Sequence, residues 1–174
     1  MTLTAFLRRR RARRTYSRAS HAVVQIHAEL YTTSDPATRA ELLDQFADIE
    51  QAMSRSYRAA FGPDRLPGEG CRDMAEVHAA AADLALMLAD TERALTEGPP
   101  NSTVFRRPGS RPGEVETWEQ LAAAQDRATR ADLINQLYLY VAQRAGAQAA
   151  SSLASHAYTE RELAAASHDF DRQS

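Results

Sequence analysis

Apolar and small residues recur every three or four positions along most of this chain, and nothing else in the sequence restricts its fold so strongly. The run Met74, Val77, Ala81, Leu84, Leu88, Thr91 and Leu95 has gaps of 3, 4, 3, 4, 3 and 4. An α-helix places such residues on one stripe, whereas a strand would scatter them over both faces. The same spacing marks Ala12, Tyr16, Ala19, Val23, Ile26 and Leu30, and again Leu42, Phe46, Ile49, Met53, Tyr57 and Ala60. A fourth stripe runs through Leu121, Ala124, Ala128, Ala131, Ile134, Tyr138 and Val141. Alanine is abundant and valine and isoleucine are scarce, which favours helix over strand. The expected class is therefore all-α: an elongated antiparallel bundle of four to five helices with heptad-like seams.

Start and stop signals divide the stripes. Asp35-Pro36 reads as an N-cap followed by the first helical residue, because proline lacks the N–H that would be unpaired there anyway. Gly62-Pro63 and Gly98-Pro99-Pro100 read as stops. Thr117 to Gln120 has the form of a capping box, so the fourth helix is expected to start there and run toward Arg144. Residues 147–168 read as a fifth helix or a continuation of the fourth. Thr159 and Glu162, a second capping-box pattern, point to a break near Tyr158. No repeat is read beyond the heptads. The whole of 1–174 is expected to form a single domain, with 169–174 a frayed tail. The Pro/Gly/Arg-rich stretch 98–113 is expected to be a disordered loop.

Charge is unevenly distributed. All 21 basic residues are arginine. Residues 1–18 hold Arg8, Arg9, Arg10, Arg11, Arg13, Arg14 and Arg18 with no acid, so a chain of net charge −2 leaves −9 on the remainder. On a helix these arginines occupy every side, and a cylinder charged all round cannot enter a core. Residues 1–15 thus read as a basic extension of the first helix. Leu3, Phe6 and Leu7 form a small apolar cluster at its tip. Arginine binds phosphate and carboxylate through two parallel hydrogen bonds, and Arg106, Arg107 and Arg111 in the 98–113 loop extend the candidate surface. Contacts of this kind position a nucleic-acid backbone without reading its sequence.

Other chemistry finds little footing. The lone Cys71 excludes an internal disulfide, and His78 lies seven residues from it, too far along a helix for proton transfer. His21, His27, His78, His156 and His168 show none of the Glu-x-x-His or paired spacings of a bundle metal site. No metal, cofactor or catalytic residue is assigned, and the chain is read as non-enzymatic. An enzyme with a site built across helices, using His78, Cys71 or paired carboxylates, is the distant third reading. The glycines near 62–70 match no phosphate loop. Glu76, Asp83, Asp90 and Glu97 form an acidic ridge, read as a solvated face or as the receiver of arginines from the first helix of the same or a neighbouring copy. Of Tyr138 and Tyr140, one is expected in the core. No run reaches the length of a membrane span, so a cytoplasmic location without membrane contact is expected.

Tyr158 and Glu162 form a Tyr-x-x-x-Glu pattern that resembles the export signal of helical-hairpin substrates of actinobacterial type VII secretion. That resemblance implies a hairpin acting as an interaction or secreted module. The Trp-x-Gly turn expected between the first two helices of such hairpins is missing. In size and class the chain is also similar to small helical subunits of RNA-guided ribonucleoprotein effector complexes. The favoured expectation is a helical subunit of a larger assembly. Its arginines would contact nucleic-acid backbone, single-stranded or an RNA–DNA duplex, and other protein subunits would be its neighbours. The alternative is a self-associating or adaptor module with no nucleic acid.

Overall fold

The computed structural model describes residues 3–62 and 73–173, with side chains described over 4–62 and 73–166. Among these residues the chain is all-helical, with six α-helices and one 3-10 turn. They are α1 (Leu3–Thr32), α2 (Pro36–Phe61), α3 (Met74–Glu97), the 3-10 turn Ser102–Phe105, α4 (Pro112–Ala123), α5 (Arg127–Ala145) and α6 (Ala147–Gln173). Six replaces the expected four to five for two local reasons. The expected fourth helix is cut at Ala124, after which Asp126 caps α5 by accepting from the Thr129 amide. Gly146, at φ 91°, then ends α5 and α6 begins at once.

Several start signals act differently from their expected roles. Thr117 is no cap: it lies inside α4, and its hydroxyl donates to the Gly113 carbonyl 2.7 Å away. The helix instead starts at Pro112, after Arg111. Thr159 likewise donates to Ser155 O within an unbroken α6, so no break occurs near Tyr158. The 98–113 segment is ordered rather than disordered. Phe105 is buried and stacks on Trp118, with ring centroids 5.8 Å apart and planes at 10°.

The contacts define directions. Tyr16, in the first half of α1, meets Tyr57 and Phe61, late in α2, and His78, early in α3, while Leu30 near the end of α1 meets Arg39 near the start of α2. These three helices therefore run up, down and up. Glu114 of α4 meets Arg144 of α5, and Asp132 of α5 meets Arg161 of α6, so the second three repeat that pattern. The core between them includes Leu84, Met87, Leu88, Trp118, Leu121, Ile134, Leu137, Val141 and Leu153. Most of the stripe residues are buried or half-buried within it. No helix among the described residues is long and apolar enough to cross a membrane.

The two halves are a repeat that the heptad reading passes over. Asp35–Phe46 and Asp126–Leu137 agree at seven of twelve positions: Asp, Ala, Thr, Arg, Ala, Leu and Gln, in register. Ala89–Leu95 and Ala157–Leu163 share Ala-x-Thr-Glu-Arg-x-Leu. Thr38 and Thr129 bond their caps Asp35 and Asp126 through both amide and hydroxyl. The link between α1 and α2 and that between α4 and α5 have the same length, so 91 added to an α1 or α2 residue number gives its α4 or α5 counterpart. Adding 68 does the same from α3 to α6.

Anchoring of the 98–111 segment by one aromatic ring can be tested. Replacing Phe105 with alanine is expected to lower stability by about 3 kcal/mol, the usual scale for emptying a buried aromatic site. The urea midpoint reads this loss, and limited proteolysis should then cut within 98–111. A midpoint equal to wild type contradicts the anchoring role.

Candidate functional site

Three places concentrate chemistry: the N-terminal part of α1, a buried ionic centre where the halves meet, and a groove between α1 and α6. The first carries the arginines singled out in the sequence. Arg8, Arg9, Arg10, Arg11, Arg14 and Arg18 are exposed, and among the described residues none of their side chains has a hydrogen bond or ion pair. Arg13 differs. Its Nε donates to Ala60 O at 3.1 Å and its guanidinium lies 5.5 Å from the centre of the Phe61 ring. It fastens α1 to the end of α2. The ten helical residues before it extend past that fastening by about 15 Å at the α-helical rise. Phe6 and Leu7, near the tip, are half exposed.

The loop arginines are held locally. Arg107 donates to Val104 O at 2.7 Å and Arg111 to Gln143 Oε1 at 2.9 Å, while Arg106 is exposed. Arg111 and Gly109 lie beside the end of α5, which adjoins the start of α6. Gln148 of α6 and Met74 of α3 line one cavity, so the loop and the α1 extension belong to the same end of the bundle. No contact joins the two sets among the described residues. Within the chain, among the described residues, no α1 arginine pairs with the acidic ridge of α3. Glu76 meets Arg58 of α2, and Asp90 meets Arg93 of α3 itself.

The buried centre was not anticipated. Arg39, Arg130, Glu92 and Glu160 are all fully buried. Arg39 pairs with Glu92 through Nε at 3.2 Å and with Glu160 through Nη2 at 3.2 Å. Arg130 pairs with Glu160 through Nε at 3.6 Å and with Glu92 through Nη2 at 3.3 Å. Exchanging the halves maps each contact onto another, atom type for atom type. Each arginine also caps the helix before it. Arg39 Nη1 donates to Leu30 O and Thr33 O, and Arg130 Nη1 to Leu121 O and Ala124 O, in both cases nine and six residues back.

His156 and Arg127 break the symmetry, since their counterparts are Leu88 and Pro36. His156 Nε2 lies 3.2 Å from Glu92 Oε1, and Arg127 Nη1 lies 2.9 Å from Glu160 Oε1. Burial holds the His156 pKa below the ordinary imidazole value despite the neighbouring glutamates, and burial does the same for His27. Glu92 shifts downward. Burial opposes that shift, but the His156 hydrogen bond and the Arg39 and Arg130 charges overcome it. Glu92, His156 and Glu160 bring ligand-type atoms within 4.8 Å of one another. This donor set does not suit a metal, because two buried guanidiniums already hold the same carboxylate oxygens and would repel a cation.

Elsewhere, His78 Nδ1 lies 2.6 Å from Glu50 Oε2 and His78 Nε2 lies 3.0 Å from the Tyr16 hydroxyl. This hydroxyl–imidazole–carboxylate chain ties α1, α2 and α3 together. Cys71 lies outside the described residues, as do the side chain of His168 and that of Leu3 at the α1 tip. Tyr138 and Tyr140 are both half-buried. Tyr158, of the Tyr-x-x-x-Glu pattern, stacks on Tyr31 at 5.9 Å, and Glu162 is exposed. Two adjoining cavities, about 630 and 220 Å³, run along the α1–α6 groove and share His27, Phe46, Ser152 and Ser155.

Sequence reasoning missed Tyr16, Arg39, Glu50, Glu92, Arg130, His156 and Glu160 as interacting groups. The repeated Asp-x-Ala-Thr-Arg-Ala and Thr-Glu-Arg words were the available signal for four of them. Comparison with protein-family models, curated proteins and solved structures gave no match for this chain.

The two histidines make stability depend on pH. Unfolding frees their rings to bind protons that the folded state resists, so their contribution is full above about pH 6.5 and falls as pH drops. Glu92, shifted down, contributes above about pH 4 and loses that contribution only at lower pH. The urea midpoint is therefore expected to fall from pH 7 to pH 5. His156→Leu, which installs the counterpart residue, should remove much of that slope. An unchanged slope in the variant refutes this assignment.

Proposed function

We propose that the chain is a non-enzymatic helical subunit of a larger assembly that contacts nucleic-acid backbone through the arginine-rich start of α1. One observation carries the reading. Four arginines, Arg8 to Arg11, lie on about 15 Å of projecting helix, and Arg14 and Arg18 follow on its packed part; all six are exposed and without an acidic partner among the described residues. A rod charged on every side suits a backbone that carries one phosphate about every 3.4 Å along each strand. It gives no means of reading bases.

The repeat supports the same reading. By the numbering offset, the first residue of α4, Pro112, corresponds to His21 of α1. Residues 3–20, and with them Arg8 to Arg18, have no counterpart in the second half. The basic segment is thus an addition to the repeated unit, joined to it through Arg13 and Tyr16. Arg106, Arg107 and Arg111, at the same end of the bundle, give a second set of phosphate contacts. Phe6 and Leu7 serve as the contact to a neighbouring protein subunit. Heptad-like packing of α1 on α2 and the Arg13 fastening keep the rod aligned with the bundle.

Binding to single-stranded RNA, single-stranded DNA and an RNA–DNA duplex is expected at about 50 mM salt and should weaken steeply toward 200 mM. Fluorescence anisotropy across that series is the measurement. Replacing Arg8, Arg9, Arg10, Arg11 and Arg14 with alanine should reduce the log–log salt slope on single strands by about 3.5, at roughly 0.7 per phosphate. Affinity should vary little between sequences. No binding at low salt, or an unchanged slope in the variant, overturns the proposal. A concentration-dependent oligomer indifferent to nuclease would then favour the self-associating module.

A further inference from the structure

The halves differ where α1 lies beside α6 and, correspondingly, α4 beside α3. On the α4 side Trp118 is fully buried and Phe105 lies flat against it. On α3, Leu84 and Met87 are buried and Leu86 is half-buried. The matching positions on the α1 side are His27 for Trp118 and Ser152, Ala154 and Ser155 for the three α3 residues. Nothing takes the place of Phe105, which comes from the segment between α3 and α4. Smaller residues at these four positions leave the groove of about 630 Å³, a volume within the roughly 300–1,000 Å³ of small-molecule sites.

We infer that this groove binds a flat, uncharged heteroaromatic small molecule, seated against His27 as Phe105 is seated against Trp118. Four observations support the chemistry. The counterpart site is filled by a parallel aromatic pair, which sets the expected shape of the occupant. The Tyr31 and Tyr158 rings stack with planes at 11° and add an aromatic wall. Ser152 Oγ is buried without a hydrogen-bond partner. Neither His27 nitrogen has a hydrogen-bond partner among the described residues, although the ring packs edge-on against Phe46 at 4.9 Å. A neutral imidazole offers one donor and one acceptor and a serine offers both, so a ring heteroatom or carbonyl would find partners that an all-carbon ring would not. The buried charges behind the groove, Arg39 and Glu92, are already committed to each other. They leave no free charge to hold an ionic ligand.

The test is a titration of the full chain with quinoline as the flat probe and adamantan-1-ol as an aliphatic cage, followed by amide chemical shifts. Quinoline should shift residues around His27, Ser152 and Ser155 and bind about tenfold more tightly than the cage. Ser155→Met and Ala154→Leu, which install the residues of the closed side at exposed positions, should each weaken quinoline by about tenfold without lowering Tm. Equal affinity for the cage overturns the inference. So do undiminished binding in both variants and quinoline shifts that are absent or confined elsewhere. None of these readouts involves nucleic acid or Arg8 to Arg18, so the result stands apart from that of the salt series.

Discussion

Arg39, Arg130, Glu92 and Glu160 form the interaction on which the remaining architecture depends. Four fully buried charges are costly to desolvate, and one ion pair alone would seldom repay that cost. Here each guanidinium meets both carboxylates and also donates to two backbone carbonyls. The last carbonyls of a helix have no partner within it. α2, α3 and α5 end at glycines with positive φ, namely Gly62, Gly98 and Gly146. α1 and α4 have no such glycine, and an arginine from the next helix covers their ends instead. The same side chain thus closes one helix, positions the next and reaches across to the other half.

A centre of this kind fixes the relation of the halves and leaves their outer faces free to diverge. The divergence falls on three features. α1 carries a basic extension that α4 lacks. The α3–α4 connection supplies Phe105, for which the first half has no equivalent. α6 has serines and alanine where α3 has leucines and methionine. Both the proposed nucleic-acid contact and the proposed ligand groove occur where the repeat is broken. His156 is a fourth break and lies inside the centre itself. Its burial beside Arg39 explains why a group of opposite charges also includes a largely neutral ring.

Much of the secondary structure was legible. Stripes of three-and-four spacing located α1, α2 and α3, and Asp35, Gly62 and Gly98 bounded them as capping chemistry requires. The break at Ala124–Asp126 was not read, because alanines continue the stripe and only the Asp126–Thr129 pairing interrupts it. The arginine extension was legible because charge on every side of a helix excludes burial, whatever the neighbours are. The ionic centre was not. A lone arginine or glutamate in a helix looks like a surface residue until its partners are known, and Arg39 and Glu160 are 121 residues apart.

Spacing, caps and charge are local, and they determined that this chain is helical, where most of its helices lie, and which end of it is basic. Tertiary packing alone decided which charges are buried together and that two three-helix halves share them. It also decided that the space filled by Phe105 and Trp118 on one side stays open beside His27 on the other. The reason is physical. A helix's periodicity comes from its own hydrogen bonds, whereas a buried charge or an unfilled volume is defined only by the side chains that distant segments bring to it.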